Sequence, residues 1–325
     1  MMVTGTPPMR NRVATYPYFD CGVSLMNRPS QVGVVVCSAL AMVVATASVV
    51  GCESSDDSCD GVIAFSSAHE GNPEIYLMHL DGSGLTRLTH RDDRDGYPVC
   101  SPDGKKIAFY AYEDSTTWSI NVMDFDGRSR TRLTNEAGAR DAGPTWSPDG
   151  SSIAFTRGRN EEYELWVMDS DGGHQRRLGD LEGFAPRWSP DGSLLAFSTY
   201  PRGEIFVANA DGASVRRLTE NDVEDMWPSW SPDGLWIAYM SGEPKRHQIW
   251  VMKADGSGAK QLTFNQYDDW RPRWSPDGSK IVFNSFRDDT VGLYLISPDG
   301  SGERHLTPFS DYVMQVSWCP HSKRR

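Results

Sequence analysis

Acidic and aromatic side chains form clusters that recur along this sequence, each just before a tryptophan-containing segment. Aromatic rings set among carboxylates could bind a basic or amide-rich partner, with the rings supplying affinity and the charges aiding encounter. The alternative is solvated loop acids, with aromatic side chains that cap the edge of the core. Ten residues form the candidate partner-binding rim: Asp95, Tyr97, Asp141, Phe184, Asp225, Trp227, Asp269, Trp270, Arg271 and Tyr312.

Arrangements typical of enzymes and metal sites do not stand out. The Gly-x-Ser-x-Gly elbow of serine hydrolases does not occur, and the seven histidines are scattered without ligand spacing. Asp124-x-Asp126-Gly127 lacks the rest of a calcium-loop pattern. We therefore predict no catalytic residues, no metal and no cofactor. A glycan-active enzyme or lectin that uses the same face is the alternative.

A repeat positions the acidic and aromatic clusters. Trp-Ser-Pro-Asp-Gly begins at four positions, a fifth copy has Cys100 in place of Trp, and a decayed sixth is Trp318-Cys319: the four are Trp146, Trp188, Trp230 and Trp274. Spacings of about 42 to 46 residues are typical of propeller repeats. Pro, Asp and Gly favour a type I turn between two strands, and each Trp is predicted to pack between neighbouring repeats.

Each repeat carries the same landmarks in the same order: an Ile-Ala-Phe-like strand, a second apolar strand, an Asp-Gly turn and an Arg-Leu-Thr-like strand. Six copies predict an all-β, six-bladed β-propeller of four-stranded blades over residues 60–320. The first repeat lacks its Trp strand, and residues 313–318 are left over at the other end. We predict that this C-terminal strand completes the first blade and closes the ring, followed by a tail at 321–325.

Three of the six cysteines fall within or beside the repeats: Cys59, Cys100 and Cys319. Cys59 and Cys319 stand where the two chain ends should meet, so we predict a disulfide between them, with two free thiols as the alternative. Cys100 occupies a Trp position and is predicted to be a small buried apolar residue.

The segment before the repeats has the character of an export signal. Residues 1–51 comprise an N-terminal extension, with Met1 or Met26 as the start, and a nearly continuous apolar run over 32–50. Val49-Val50-Gly51-Cys52 resembles the bacterial lipobox, which implies lipidation of Cys52 and a tether over 52–59. A single membrane-spanning helix is the alternative for the apolar run.

The chain is acidic, with a formal net charge of -12, and this excludes nucleic acid as a favoured partner. Its 30 glycines and 20 prolines suit a turn-rich all-β domain.

The repeated Trp-Ser-Pro-Asp-Gly-x-x-Ile-Ala-Phe, with Asp-Gly and Arg-Leu-Thr, resembles the TolB-type propeller repeat over about residues 60–320. The resemblance implies a protein- or peptide-binding module of the cell envelope, without a counterpart of the TolB amino-terminal α/β domain. We expect a monomeric, non-enzymatic, lipid-anchored protein that faces the periplasm or the cell exterior and binds its partner at the mouth of the propeller channel.

Overall fold

The computed structural model describes residues 61–68, 71–92, 94–201, 203–307 and 313–320. These residues belong to one compact unit, Ser55–Arg325, and form β-strands without a helix. Consequently, the described ranges include no helix able to cross a bilayer. The predicted signal segment 1–51, the tether 52–59 with Cys52 and Cys59, and the tail 321–325 lie outside them.

The described residues form twenty-four strands in six groups of four. The first group takes its first strand from the C-terminus: β24 (Val313–Cys319), β1 (Val62–Ser67), β2 (Glu74–His79) and β3 (Thr86–Arg87). The next two are β4 (Asp95–Cys100), β5 (Lys106–Tyr112), β6 (Trp118–Asp124), β7 (Thr131–Arg132), and β8 (Arg140–Trp146), β9 (Ser152–Arg159), β10 (Glu162–Asp169), β11 (Arg176–Glu182). The last three are β12 (Phe184–Trp188), β13 (Leu194–Ser198), β14 (Ile205–Asn209), β15 (Arg216–Arg217); β16 (Glu224–Trp230), β17 (Trp236–Gly242), β18 (Gln248–Lys253), β19 (Lys260–Gln261); and β20 (Asp268–Trp274), β21 (Ile281–Arg287), β22 (Thr290–Ile296), β23 (Arg304–His305).

Hydrogen bonding assembles the strands into four four-stranded sheets and one eight-stranded sheet. The all-β propeller prediction is therefore confirmed, but the predicted six separate four-stranded sheets are not what the described residues form. The reason is local: β4–β7 and β8–β11 are joined by one parallel bridge between Trp118 and Arg140, where the Trp118 amide donates to the Ala139 carbonyl at 2.9 Å.

The ring closes as the sequence predicted. Strand β24 pairs antiparallel with β1, with Ile63 opposite Trp318 and Ala64 opposite Ser317. The first strands of the six groups, β24, β4, β8, β12, β16 and β20, then contact one another in a closed cycle, and we call them the inner strands. A single chain thus leaves no inner strand without a neighbour on either side.

Each of the other five inner strands, β4, β8, β12, β16 and β20, ends in a Ser-Pro-Asp-Gly turn whose side chains hydrogen-bond within the turn. In the turn after β12, Ser189 Oγ donates to Asp191 Oδ1 at 2.5 Å, and the Gly192 amide donates to the Ser189 carbonyl at 2.9 Å. The glycine adopts φ of +73°, which favours Gly at this position. Successive turns stack, since a methyl group on Gly192 would lie 3.6 Å from Pro148 Cδ. The inner strands therefore run in one direction, from a loop end to this turn end.

The Arg-Leu-Thr landmark is also structural. Thr219 Oγ1 accepts the Ile205 amide at 3.0 Å, while Arg217 Nε donates to the Thr219 carbonyl at 2.6 Å. The same pair of bonds recurs around Thr89, with Arg87 and the Ile75 amide. These bonds hold the short outermost strand against its neighbour, which explains why the landmark recurs.

The Trp before each turn packs between neighbouring groups, as predicted. Trp230 lies in a core cluster with Ala196 and Val207 of the preceding sheet. Its indole Nε1 donates to the Arg187 carbonyl at 3.2 Å. Burial of large aromatic surface is thereby combined with one directed bond between inner strands.

The predicted disulfide partner is wrong. Cys319 is bonded to Cys100, not to Cys59, with the Cα atoms 5.1 Å apart. Strand β24 lies beside β4 in the ring, and the Trp position that Cys100 occupies faces that junction. Cys100 is buried in the apolar core as predicted, and the structure adds that it is bonded to Cys319.

Candidate binding site in the central channel

Every inner strand contains one bulge, and the six bulges fall at equivalent positions. The register shifts there in each pairing with the second strand of the group. One residue of each strand has a left-handed backbone: Tyr97, Gly143, Ala185, Trp227, Arg271 and Gln315, with φ of 57°, 61°, 55°, 61°, 54° and 54°. We call these six positions the bulge level. A bulge redirects side chains and bends the strand, so these positions are aimed differently from the rest of the strand.

Aromatic side chains from different sheets meet at the bulge level. The rings of Tyr97 and Trp227 stack with centroids 5.8 Å apart, and Phe184 meets the Trp227 ring edge-on at 5.4 Å. Arg271 Cζ lies 4.4 Å from the centroid of Trp227 and 5.9 Å from that of Tyr97. Strands β4, β12, β16 and β20 belong to four different sheets, so these side chains converge on the middle of the ring.

Two arginines that the sequence analysis did not single out complete this cluster. Arg187 and Arg273 each stand two residues after a bulge, and the Nη2 atom of each donates to the Tyr97 hydroxyl oxygen at 3.0 Å. Each also donates from Nη1 to the carbonyl of its preceding proline, Pro186 or Pro272, at 2.6 and 2.9 Å. We call Tyr97, Arg187, Arg273, Arg271 and Trp227 the channel cluster.

The channel cluster concentrates positive charge away from water. Tyr97, Trp227, Arg187 and Arg271 are buried, and Arg273 is partly buried. Burial and the neighbouring Arg187 lower the pKa of Arg273 to about 9, although the charge of Tyr97 and the hydrogen bond that Arg273 donates to it act to raise it, so Arg273 is still cationic at neutral pH. Burial raises the pKa of Tyr97, but Arg187, Arg273 and Arg271 outweigh it and the pKa is lowered. Among the described residues, no carboxylate lies within 4 Å of Arg187 or Arg273.

The acids of the predicted rim lie elsewhere and are not exposed. Asp95 and Asp141 are fully buried and ion-paired within their own groups, to Arg130 at 2.9 Å and to Arg157 at 2.7 Å. Desolvation raises the pKa of Asp95 to about 6, aided by the nearby Glu74. The prediction of solvent-facing acids at these positions is wrong because the loops end earlier and the acids already belong to inner strands.

Asp225 and Asp269 follow the same pattern. Asp225 Oδ2 accepts from Asn221 at 2.7 Å, and Asp269 accepts from Asn265 at 2.8 Å and from Ser285 at 2.5 Å. Both carboxyls are fully buried, and desolvation raises the pKa of each. These acids therefore tie the start of an inner strand to its own sheet instead of facing a partner.

The predicted rim thus divides into three parts. Tyr97, Phe184, Trp227 and Arg271 come together in the channel, and the four acids are buried in the sheets. Trp270 is partly exposed at the loop end, and Tyr312 lies outside the described residues. Within the described ranges, no group of three or more His, Cys, Asp or Glu side chains is arranged to hold a metal ion.

A sequence signal for the bulges existed. Proline follows the bulge residue directly in five of the six inner strands: Pro98, Pro144, Pro186, Pro228 and Pro272. Proline inside a sheet is largely confined to edge strands and bulges, because it has no N–H to donate. Each inner strand is the edge strand of its group, so it tolerates a proline. Each proline therefore marks two positions whose side chains can point into the channel: the residue before it and the residue after it.

Comparison with known proteins places these features in a family. The family model described as the TolB beta propeller domain matches residues 52–184 and 181–324. The crystal structure of TolB from Acinetobacter baumannii has a TM-score of 0.71 at 24% identity, over 81% of this chain and 68% of that one. A putative TolB from Agrobacterium tumefaciens has a TM-score of 0.63 at 22% identity, over 80% and 98%. These two similarities support the fold.

A curated relative, a TolB homolog of Chlorobaculum tepidum, is 33% identical over 116 residues. This match covers 36% of the present chain and 26% of the relative, so it spans about a quarter of that protein's length.

Proposed function

This chain belongs to the TolB β-propeller family, and from that premise we propose that it is a membrane-anchored, extracytoplasmic, non-enzymatic module that binds a protein or peptide segment at its central channel. The observation that supports this most is the convergence of Tyr97, Trp227 and Arg271 from three sheets on one point. Aromatic and arginine side chains are the residue types that dominate binding energy at protein interfaces.

We also infer that the ring has six blades. The eight-stranded sheet separates into β4–β7 and β8–β11, which share only the Trp118–Arg140 bridge. Each half repeats the order of the four-stranded sheets, and each supplies one inner strand to the closed cycle. A six-membered ring puts Tyr97 and Trp227 on opposite blades, so their stacking spans the channel.

The bulge level divides the channel, and a partner reaches it from one of the two ends. The loop end carries partly exposed Trp270 and, in the loop before it, Phe264, whose side chain is 78% exposed. Exposed apolar side chains at the loop end favour this end as the one a partner meets first.

Photocrosslinking tests this placement. The full-length protein would carry a photoreactive phenylalanine at Trp270 in one strain and at Leu235 in a matched strain; Leu235 is 62% exposed in the turn at the opposite end. We expect one discrete adduct with an envelope protein from position 270 and none from 235. Equal adducts from both, or none from 270, would contradict binding at the loop end.

Anchoring rests on Cys52, which lies outside the described residues. The Cys52→Ala variant should leave the membrane fraction and lose incorporation of labelled palmitate, because the thiol is the lipid attachment point. A variant that stays in the membrane fraction would instead favour the spanning helix over 32–50.

A further inference from the structure

Arg187, Arg273 and Tyr97 direct hydrogen-bond donors toward one point, and among the described residues no carboxylate lies within 4 Å of either arginine. Tyr97 oxygen accepts one N–H from Arg187 and one from Arg273, and these occupy both of its lone pairs. The hydroxyl proton is then left to donate, and among the described residues no acceptor lies within hydrogen-bond reach of it. Each guanidinium carries five N–H groups, of which two are used in these bonds.

The two arginines are built into the fold. They occupy the same position of the repeat in β12 and β20, and each is fixed by its own proline carbonyl and by Tyr97. The intervening inner strand, β16, has the small Ser229 at that position. A small residue flanked by two arginines at this position is therefore found nowhere else among the inner strands, whose remaining residues there are Val99, Thr145 and Ser317.

The charge of this site opposes that of the whole chain. The protein carries a net charge of -12, yet the middle of its ring holds three guanidinium groups around one phenol ring, at 5.4 to 5.9 Å from its centroid. Among the described residues, Arg187 and Arg273 have no carboxylate within 4 Å. A buried cation without an opposite charge is destabilising, and like charges in a low dielectric repel strongly. An anion that entered would relieve both effects.

The chemistry of the site selects among anions. The planar guanidinium fork matches carboxylate and phosphate oxygens. Stacked Tyr97 and Trp227 give apolar surface beside these donors for the chain that carries the anionic group. We propose that Arg187, Arg273 and Tyr97 form a carboxylate-binding site, which accepts an acidic side chain or C-terminus of a peptide segment inserted into the channel.

This inference rests on the proposed binding function and reverses the charge expected of the partner. The sequence pointed to a basic partner because the rim acids were taken as exposed. In the structure those acids are buried and bonded, and the side chains that converge on Tyr97 are the cationic Arg187 and Arg273.

A peptide titration tests the site with the full-length protein. The probe is the fluorescent hexapeptide Ser-Gly-Asp-Gly-Glu-Leu with a free carboxyl end, and its matched probe has Asn, Gln and a C-terminal amide. We expect the acidic probe to bind at least about tenfold more tightly than the amide probe, and Arg187→Gln or Arg273→Gln to weaken the acidic probe about tenfold. Arg176→Gln removes the same charge from an exposed position on strand β11 and should change the affinity less than about twofold.

A second measurement separates binding from folding. Since each channel arginine repels the other, Arg273→Gln should melt at or above the wild-type temperature while losing affinity, whereas a purely structural arginine would lower both. Arg273→Lys keeps the charge but not the fork, and we expect an intermediate affinity.

Three outcomes would overturn the carboxylate site: equal binding of both probes, full affinity in Arg187→Gln and Arg273→Gln, or arginine-dependent binding of a galacturonate hexamer with none of the acidic peptide. The last result would assign the site to an acidic glycan. If the crosslinked partner at Trp270 persists in both arginine variants, the binding function stands and only the carboxylate site fails. If no partner is crosslinked at all, the binding function itself fails.

Discussion

Cys100 and Cys319 are joined by a disulfide between the neighbouring inner strands β4 and β24. Cys100 occupies the position at which the other described inner strands have a tryptophan. At three other junctions an indole N–H bonds to the carbonyl of the preceding inner strand: Trp146 to Val99, Trp230 to Arg187 and Trp318 to Arg273, at 3.1 to 3.2 Å. A covalent bond thus takes the place of that hydrogen bond between the first and second strand groups, next to the seam where the chain closes on itself.

Reduction of this disulfide should weaken the ring. The bond closes a loop with a sequence separation of 219, so its loss should lower the free energy of unfolding by about 5 kcal/mol. Denaturant unfolding with and without reductant measures this change, and the Cys100→Ala, Cys319→Ala double variant should not respond to reductant. Mass spectrometry of the unreduced protein should find a Cys100–Cys319 peptide; a Cys59–Cys319 peptide would contradict the structure.

Trp227 and Trp270 should behave differently when truncated. Trp227 is 2% exposed and touches Tyr97, Phe184 and Arg271, so Trp227→Ala should cost about 3–5 kcal/mol of unfolding free energy. Trp270 is partly exposed, and Trp270→Ala should cost less than about 1 kcal/mol. Denaturant titration of the two variants compares them directly. Similar losses in both would show that the burial described for Trp227 is incorrect.

His247 should make stability depend on pH. Burial lowers its pKa, but hydrogen bonds and charges from Asp268 and Glu224, at 2.7 and 3.0 Å, outweigh this and raise the pKa from 6.5 to about 9. Because the folded-state pKa is raised, the stabilisation is complete below pH 6.5 and is lost as the pH rises through about 9. We expect a loss of roughly 2–3 kcal/mol over this window, absent from His247→Gln. Parallel pH profiles for the two proteins would refute the ion-pair bridge.

The turn aspartates should stabilise the corners of the propeller. Asp191 accepts from Ser189 Oγ and from the amide and hydroxyl of Ser193 at 2.5 to 3.1 Å, and these bonds lower its pKa. Asp191→Ala should cost about 1 kcal/mol, and Asp191→Asn less, because an acceptor oxygen remains. Since the folded-state pKa is lowered, the difference between wild type and Asp191→Ala should shrink as the pH falls below 4. A difference that is constant down to pH 2 would count against the carboxylate bonds.

Much of the fold could be predicted because its determinants are local. The Ser-Pro-Asp-Gly turns set φ values and side-chain bonds within five residues, and counting strands sufficed to pair β24 with β1. The disulfide was mispredicted because it depends on which inner strands are neighbours across the seam, and Cys100 is 219 residues from Cys319.

The site was harder to predict for a geometric reason. Asp95 and Tyr97 are two positions apart on strand β4, yet the carboxylate turns into its own sheet while the ring reaches the channel. That difference depends on the bulge at Tyr97, which composition does not show. Arg187 and Arg273 were missed because each sits beside a repeat tryptophan and reads as part of that motif.

A double-mutant cycle between Arg273 and the peptide carboxylates tests most directly whether the channel cluster binds acidic peptide. The four affinities combine wild type or Arg273→Gln with the acidic or the amide probe. A direct charge-assisted bond predicts a coupling free energy of about 1.5 kcal/mol or more, with the Arg176→Gln cycle near zero. A coupling near zero for Arg273 as well would contradict the assignment of the channel arginines as the binding site.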